Sequence, residues 1–258
     1  MGDRVHKEWD RLNYGEYKYF QENLFEIWFT KEQLDNLLRQ TWQKAQIHFK
    51  DKRKFLSSKL PRFFCYDTEE WGKRPFCTMG LRTNESRQLE VFGNLTQNIS
   101  FTRIKDGFLS DIAESQVITP KFDPNAIPII WGANKRELQM LENRGIEKYW
   151  EVQNLVKKVL NRDQAINLKA AEELIIPWFQ RQSCEFWKHK DDWIMCDYKV
   201  RHSVGDQMFW SLARLAQGLP IQNCEICGKP QDVLLYCLED ALSPLFLIDA
   251  IEPSIFTN

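Results

Sequence analysis

The stretch Cys224-Glu-Ile-Cys227-Gly-Lys-Pro230 has the composition and spacing of a metal-binding turn. Two cysteines separated by two residues lie on one tight turn, where both sulfurs can contact a single zinc ion at about 2.3 Å. Gly228 permits the positive φ that turns backbone amides toward the sulfurs, and Pro230 stiffens the exit from the turn. The pattern predicts a zinc knuckle around which the C-terminal half is organised.

A single C-x-x-C pair supplies only half of a tetrahedral zinc site, so two further ligands are needed. The interval from Cys184 to Cys237 holds five of the seven cysteines and two of the four histidines of this 258-residue chain. Cys237 is the predicted third ligand, because residues 234–236 are typical of a short strand that returns to the turn. The candidates for the fourth position, with the first two preferred, are Cys196, His202, Cys184 and His189.

The C-x-x-C pair has two other interpretations. A redox pair usually follows a strand and opens a helix, and the Gly-Lys-Pro sequence after Cys227 is a poor helix start. The second alternative is a pair of ordinary buried thiols that bind no metal. A structural zinc site is the interpretation that we favour.

Composition and charge indicate an ordinary globular protein. Hydrophobic residues make up 43% of the chain and charged residues 28%, and the net charge of −1 excludes a uniformly basic polyanion binder. The odd number of cysteines excludes complete internal disulfide pairing. The first ten residues lack an apolar signal core, and no apolar run reaches the roughly 18 residues of a membrane span. We therefore expect a reducing, cytoplasmic setting without membrane association.

The periodicity of the N-terminal half predicts one long helix and a sheet. Thr30-Lys-Glu-Gln33 is a capping box, and the apolar positions that follow it at helical spacing predict a helix over about 31–59. Short β-rich runs separated by turn residues then predict a small antiparallel sheet over about 63–119. Together with the C-terminal half, these elements predict an α+β fold that is mostly helical.

The prolines of segment 120–133 predict a connector between two parts of the chain. We assign an N-terminal helix and small sheet to residues 1–120, and a helical region with the metal module to residues 134–258. The helical patterns in the second part cover 135–143, 146–160, 164–187 and 206–217.

Charge is distributed unevenly along the chain. Residues 31–62 carry a net charge of +6, whereas residues 231–258 contain five acidic residues and no basic ones. Clustered basic side chains neutralise phosphates, so the densest run predicts contact with RNA or DNA. The predicted nucleic-acid-binding residues are Lys50, Lys52, Arg53 and Lys54. Pairing of the basic and acidic segments, within one chain or between two copies, competes with that use.

Residues 212–229 resemble the start of the zinc-ribbon tail of CGNR-type bacterial proteins. In that family a helix ends in Gly and is followed closely by C-x-x-C-G, the order found here from Gly218 to Gly228. The resemblance implies a helical or mixed N-terminal region, a small metal module, and nucleic-acid or regulatory roles. The chain departs from the family pattern after Cys237, where no partner cysteine follows, and in its acidic tail.

Three functions are compatible with these features. The first, which we favour, is a non-enzymatic regulatory or nucleic-acid-associated protein stabilised by structural zinc. The second is an adaptor or inhibitor whose acidic, apolar tail at 241–258 docks on a protein partner or a second copy. The third is an enzyme that uses a Cys–His pair, such as Cys184 with His189, or a zinc-bound water.

Overall fold

The structure is a computed structural model, in which short ranges of described residues alternate with gaps. The described residues are 25–28, 30–49, 63–71, 74–83, 89–95, 98–103, 109–112, 125–132, 138, 141–142, 145–185, 211–212, 214–215, 218–224 and 227–256. Within these ranges we number four helices: α1 (Lys31–Ala45), α2 (Val152–Val159), α3 (Leu168–Ile175) and α4 (Val233–Ile251). Short 3-10 turns follow α1 at Gln46–Phe49 and α4 at Pro253–Phe256.

The numbered strands form two sheets. They are β1 (Phe25–Trp28), β2 (Phe63–Trp71), β3 (Arg74–Thr83), β4 (Leu89–Leu95), β5 (Asn98–Arg103), β6 (Leu109–Ile112), β7 (Ile127–Ile130) and β8 (Trp150–Glu151). One sheet has the order β4-β3-β2-β7-β8 and the other β1-β5-β6. The β2-β3-β4 meander is antiparallel as predicted, whereas β7 runs parallel to β2 and β8 parallel to β7. The α+β class is confirmed, but strands contribute about as much of the described chain as helices do.

The proline-containing segment predicted as a connector supplies an internal strand. In β7, Pro128 lies opposite Phe64 of β2, and the next two residues, Ile129 and Ile130, are fully buried. Strand β8 pairs with β7 only at those two isoleucines. The ladder with β8 therefore does not need the N–H that Pro128 lacks. Because β7 pairs with β2 on one side and with β8 on the other, the two predicted parts of the chain share one sheet.

Helix α4 is the central helix of the core. It packs across β2 and β3 and contacts α1, α2 and α3. Every residue from Val233 to Asp249 is buried except Asp240, which is partly buried. A helix that is apolar around its whole circumference belongs in an interior. The apolar segment predicted to dock on a partner is therefore buried within its own chain, which corrects the prediction for residues 241–249.

Helix α1 begins where the capping box predicts. The Gln33 backbone N–H donates to Thr30 Oγ1 at 3.1 Å, and the Thr30 N–H donates to Gln33 Oε1 at 2.8 Å. The α-helical geometry ends at Ala45, and the residues from 50 to 62 lie outside the described ranges. Lys44, in the last turn, forms a 2.7 Å ion pair with Asp232. The basic and acidic segments thus meet within one chain at this pair.

Two local stop signals limit the helices that precede the C-x-x-C turn. Helix α2 ends at Val159, and Asn161 turns the chain with a φ of +51°, a left-handed conformation that Asn tolerates better than most residues. Helix α3 ends two residues before Pro177, because the residue before a proline is disfavoured in helical geometry. The predicted helix over 146–160 begins only at Val152. Of the predicted helix over 164–187, the described residues are helical only over Leu168–Ile175. None of the described helices is long and apolar enough to cross a membrane.

Candidate metal centre

Two groups of side chains bring possible metal ligands together in the described part of the chain. The first is Cys184, Cys224 and Cys227, which we call the thiol cluster. The second is Asp67, Glu69 and Cys237. In each group, one ligand atom from every residue lies within 4.8 Å of those of the other two.

A short hairpin positions two thiols of the cluster. The Cys224 N–H donates to the Lys229 carbonyl at 2.7 Å, and the Gly228 N–H donates to the Cys224 carbonyl at 2.8 Å. The Gln231 N–H closes the hairpin on the Gln222 carbonyl at 2.8 Å. Gly228 has a φ of +69°, the left-handed conformation predicted for this glycine. The turn therefore presents Cys224 and Cys227 on one side, as their spacing predicts.

The third thiol comes from a segment that follows α3. The Cys184 N–H donates to the Pro230 carbonyl at 2.8 Å, so this segment lies along the hairpin. Cys184 is fully buried and Cys224 is 1% exposed, whereas Cys227 is partly buried. Cys184 was one of the open candidates for the remaining positions, and the tertiary structure brings it to the C-x-x-C pair.

The thiol cluster can hold a metal ion. A tetrahedral ion with metal–sulfur bonds of about 2.3 Å separates its sulfurs by roughly 3.8 Å, which lies within the spacing of the cluster. Burial raises the pKa of the Cys184 thiol, and the neighbouring Cys224 and Cys227 raise it further. Three thiolates this close together would repel one another strongly, and a divalent cation offsets that repulsion because its ligands bind deprotonated.

Cys237, the predicted third ligand, lies elsewhere. Its Sγ donates to the Asp67 carbonyl at 3.2 Å, and it lies in α4 rather than beside the hairpin. Residues 234–236 form the first turn of α4, not a returning strand, because Asp232 caps the helix by accepting from the Leu235 N–H at 3.1 Å. An Asp immediately before an apolar run is an N-cap signal that the sequence already contained.

The other predicted site residues lie outside the described ranges. They are the ligand candidates Cys196, His202 and His189, and the basic residues Lys50, Lys52, Arg53 and Lys54. The ligand assignments of Cys196 and His202 and the nucleic-acid contacts of the basic run therefore stay predictions.

A set of buried charges lies beside the thiol cluster. Arg181 forms two hydrogen bonds to Glu172, at 2.8 and 2.5 Å, and an ion pair with Asp240. Lys169 donates to both carboxylate oxygens of Asp240, at 2.8 and 2.6 Å. We call the following residues the charge network: Asp67, Glu69, Lys169, Glu172, Arg181, Glu239 and Asp240.

The charge network could not be predicted from the sequence, because its members come from four separate segments. Asp67 and Glu69 lie on β2, two residues apart and so on one face of the sheet. Lys169 belongs to α3 and Asp240 to α4. No short motif links such positions. The signals in the sequence were the two acids at strand spacing in β2 and the two acids within the mostly apolar α4, because buried acids need partners.

The pKa values of three acids in this network are shifted in opposite directions. Burial raises the pKa of Asp67 to about 6, with a further contribution from the charge of Asp240. Burial and the neighbouring Asp67 raise the pKa of Glu69 well above its usual range. Burial also opposes ionisation of Asp240, but Arg181 and Lys169 overcome this effect and hold its pKa below the ordinary value. Of these three acids, Asp240 is therefore the one that most readily keeps its negative charge.

A cavity of about 500 Å³ lies between the charge network and the hairpin. Its lining includes Lys169 and Arg181 of the network and Lys229 of the hairpin. The cavity thus borders both the charge network and the hairpin that carries the C-x-x-C pair.

Comparison with protein-family models, curated proteins and solved structures found no match to this chain. The site is therefore interpreted from its own geometry.

Proposed function

We propose that this chain is a non-enzymatic regulatory protein stabilised by a structural zinc ion, and that Cys184, Cys224 and Cys227 are three of the ligands. The observation that carries the proposal is the convergence of three thiols, from segments 40 residues apart in sequence, to within 4.8 Å of one another. Thiolates are the ligands that zinc prefers in structural sites.

A structural role is supported by burial and by the backbone around the thiols. Two of the three cysteines are buried, and the hairpin that carries the C-x-x-C pair is closed by backbone hydrogen bonds. Structural zinc sites take four protein ligands and leave no open position. Cys196 and His202 remain the proposed sources of the fourth ligand.

Association with nucleic acid is the less developed part of this proposal. It rests on the basic run at Lys50, Lys52, Arg53 and Lys54. Salt-sensitive binding to RNA or DNA that disappears when these four residues become Glu would support it. Binding that is unchanged in this variant would refute it.

The metal content of protein purified without added metal tests the zinc proposal. We expect about one zinc ion per chain in the wild type, by elemental mass spectrometry, and loss of most of it in Cys184→Ser and Cys224→Ser. Removing one of the sulfur ligands leaves too few donors to hold the ion tightly.

Cys65→Ser is the matched control, because Cys65 is also a buried thiol but belongs to neither group of possible metal ligands. This variant should retain zinc. Wild-type protein that is folded and metal-free would refute the proposal, as would full zinc content in the double variant Cys184→Ser/Cys224→Ser.

A further inference from the structure

We infer that zinc occupancy controls a strap, residues 181–184, which closes over the charge network, so that the protein acts as a metal-responsive switch. The inference rests on the proposed zinc site and extends it from a structural to a regulatory role. It follows from the fact that one four-residue segment contacts the charge network at one end and carries a zinc ligand at the other.

The first end of the strap is held by charges. Arg181 is 4% exposed, and its guanidinium reaches Glu172 on α3 and Asp240 on α4. The ring of Tyr236 lies beneath it, 5.5 Å from the guanidinium carbon. Removing Arg181 from this position would leave two buried carboxylates without their strongest counter-charge, which is unfavourable.

The middle of the strap satisfies one buried carboxylate. Glu239 of α4 is fully buried. It accepts from the Gln182 N–H at 2.7 Å and from the Ser183 N–H at 3.3 Å, and the Ser183 hydroxyl also donates to it. Hydrogen bonds to a charged acceptor are about twice as strong as neutral ones. The Glu239 carboxylate therefore holds the strap to α4 through two backbone N–H groups of the strap and through the Ser183 hydroxyl.

The far end of the strap depends on the metal site. Cys184 follows Ser183 directly and has one backbone hydrogen bond, to the Pro230 carbonyl of the hairpin. A zinc ion adds a bond from the Cys184 sulfur to the same hairpin. Because zinc then binds the closed strap better than an open one, binding must favour closure, and closure must raise zinc affinity to the same extent.

Opening of the strap would change what the molecule exposes. Arg181 and Gln182 line the cavity of about 500 Å³, together with Lys169 and Lys229. Displacement of the strap would remove one wall of this cavity and uncover buried charges of α3 and α4. Loss of zinc would thereby expose charged side chains of α3 and α4 beside this cavity.

The effect of strap closure on zinc affinity provides the sharper experiment. Glu239→Gln changes no zinc ligand, but the new amide N–H₂ or the uncharged oxygen faces the donors of Gln182 and Ser183. Zinc affinity, measured by competition with a chromophoric chelator, should fall about tenfold or more. Glu252→Gln is the matched control, because Glu252 is exposed beyond the end of α4, and its zinc affinity should equal that of the wild type.

Hydrogen exchange measured by mass spectrometry gives the direct readout. On removal of zinc by a chelator, we expect exchange of a peptide spanning residues 181–185 to accelerate at least tenfold, while the amides of residues 236–248 in α4 stay protected. Equal zinc affinities of Glu239→Gln and Glu252→Gln would overturn the inference and leave the zinc site intact. So would unchanged exchange of the strap, or exchange of α4 that rises with it. Wild-type protein that binds no zinc would overturn both proposals.

Discussion

At the residue scale, Asp67 shows how tertiary structure alters the chemistry of an ordinary acid. It shares a face of β2 with Glu69, close to Asp240, and burial raises its pKa from the ordinary 3.8 to about 6. Between these two pH values the folded protein binds more protons than the unfolded chain. The stability contributed by this group is therefore fully present below pH 3.8, falls as the pH rises, and is lost above pH 6.

Asp67→Asn should consequently stabilise the protein at neutral and alkaline pH. At pH 8 the substitution removes a buried charge, and we expect the free energy of unfolding to rise by about 1–2 kcal/mol. At pH 5 the gain should be about half as large, because the folded protein then holds the Asp67 proton while the unfolded chain has already lost it. Denaturant unfolding at both pH values measures the difference.

Asp163→Asn provides the control for this comparison, since Asp163 is exposed in the loop after α2. The free energy of unfolding of the Asp163→Asn variant should equal that of the wild type at both pH values. An equal gain for Asp67→Asn at pH 5 and pH 8 would show that the buried charge is not the cause.

The residues that sequence analysis identified correctly are those whose role is local. Gly218 ends a helical segment with a φ of +70°, as its position after an apolar run predicts, and the Leu219 N–H bonds to the Arg214 carbonyl as in a Schellman cap. Gly228 likewise has the conformation predicted from the C-x-x-C-G pattern. Cys237 lies apart from the C-x-x-C pair, in the group with Asp67 and Glu69, because its position depends on where α4 packs, which spacing along the chain does not specify.

At the scale of elements, the packing of α1 on the sheet depends on a glycine. A Cβ added to Gly93 of β4 would lie 2.6 Å from Leu38 Cδ2 of α1 and 2.6 Å from Met79 Sδ of β3. It would also lie 3.1 Å from the Thr78 carbonyl oxygen, which cannot move without disturbing β3. Gly93 thus sets the distance between the helix and the sheet.

We expect Gly93→Ala to destabilise the protein by about 1–3 kcal/mol through overpacking. Thermal or denaturant unfolding of the single variants and of Leu38→Ala/Gly93→Ala forms a double-mutant cycle. Because Leu38→Ala removes one of the two clashing side chains, the double variant should lose less stability than the sum of the single variants. If the losses in free energy of unfolding of the two single variants add up to that of the double variant, Leu38 is not the side chain that clashes.

At the scale of the whole molecule, α4 connects the five-stranded sheet to the three other numbered helices. It contacts the β2-β3 meander, β7 and the three other numbered helices, and it carries members of the charge network. Its mostly apolar sequence is the reason, since such a helix is stable only when neighbours cover every side. The core on either side of it includes residues from both parts of the chain that the sequence predicted as separate.

Deletion of residues 241–258 should therefore unfold the chain rather than detach a docking tail. The deletion removes buried Leu242, Leu245, Phe246, Leu247 and Ile248, and loss of a single such side chain costs about 2–5 kcal/mol. Circular dichroism and size-exclusion chromatography should show lost helix and aggregation. Deletion of residues 252–258 alone, which begins with exposed residues, is the control. A folded monomer after the longer deletion would contradict this account of α4.

The sequence by itself determined the local features of this protein: the start of α1 at its capping box, the end of α2 before Asn161, the antiparallel meander and the conformation of Gly228. Each depends on interactions among residues a few positions apart. Only the tertiary structure decided that β7 joins the sheet, that Cys184 completes the thiol cluster and that α4 buries the charge network. Those outcomes depend on which distant surfaces cover one another, and hydrophobic burial is non-directional, so spacing along the chain does not encode them.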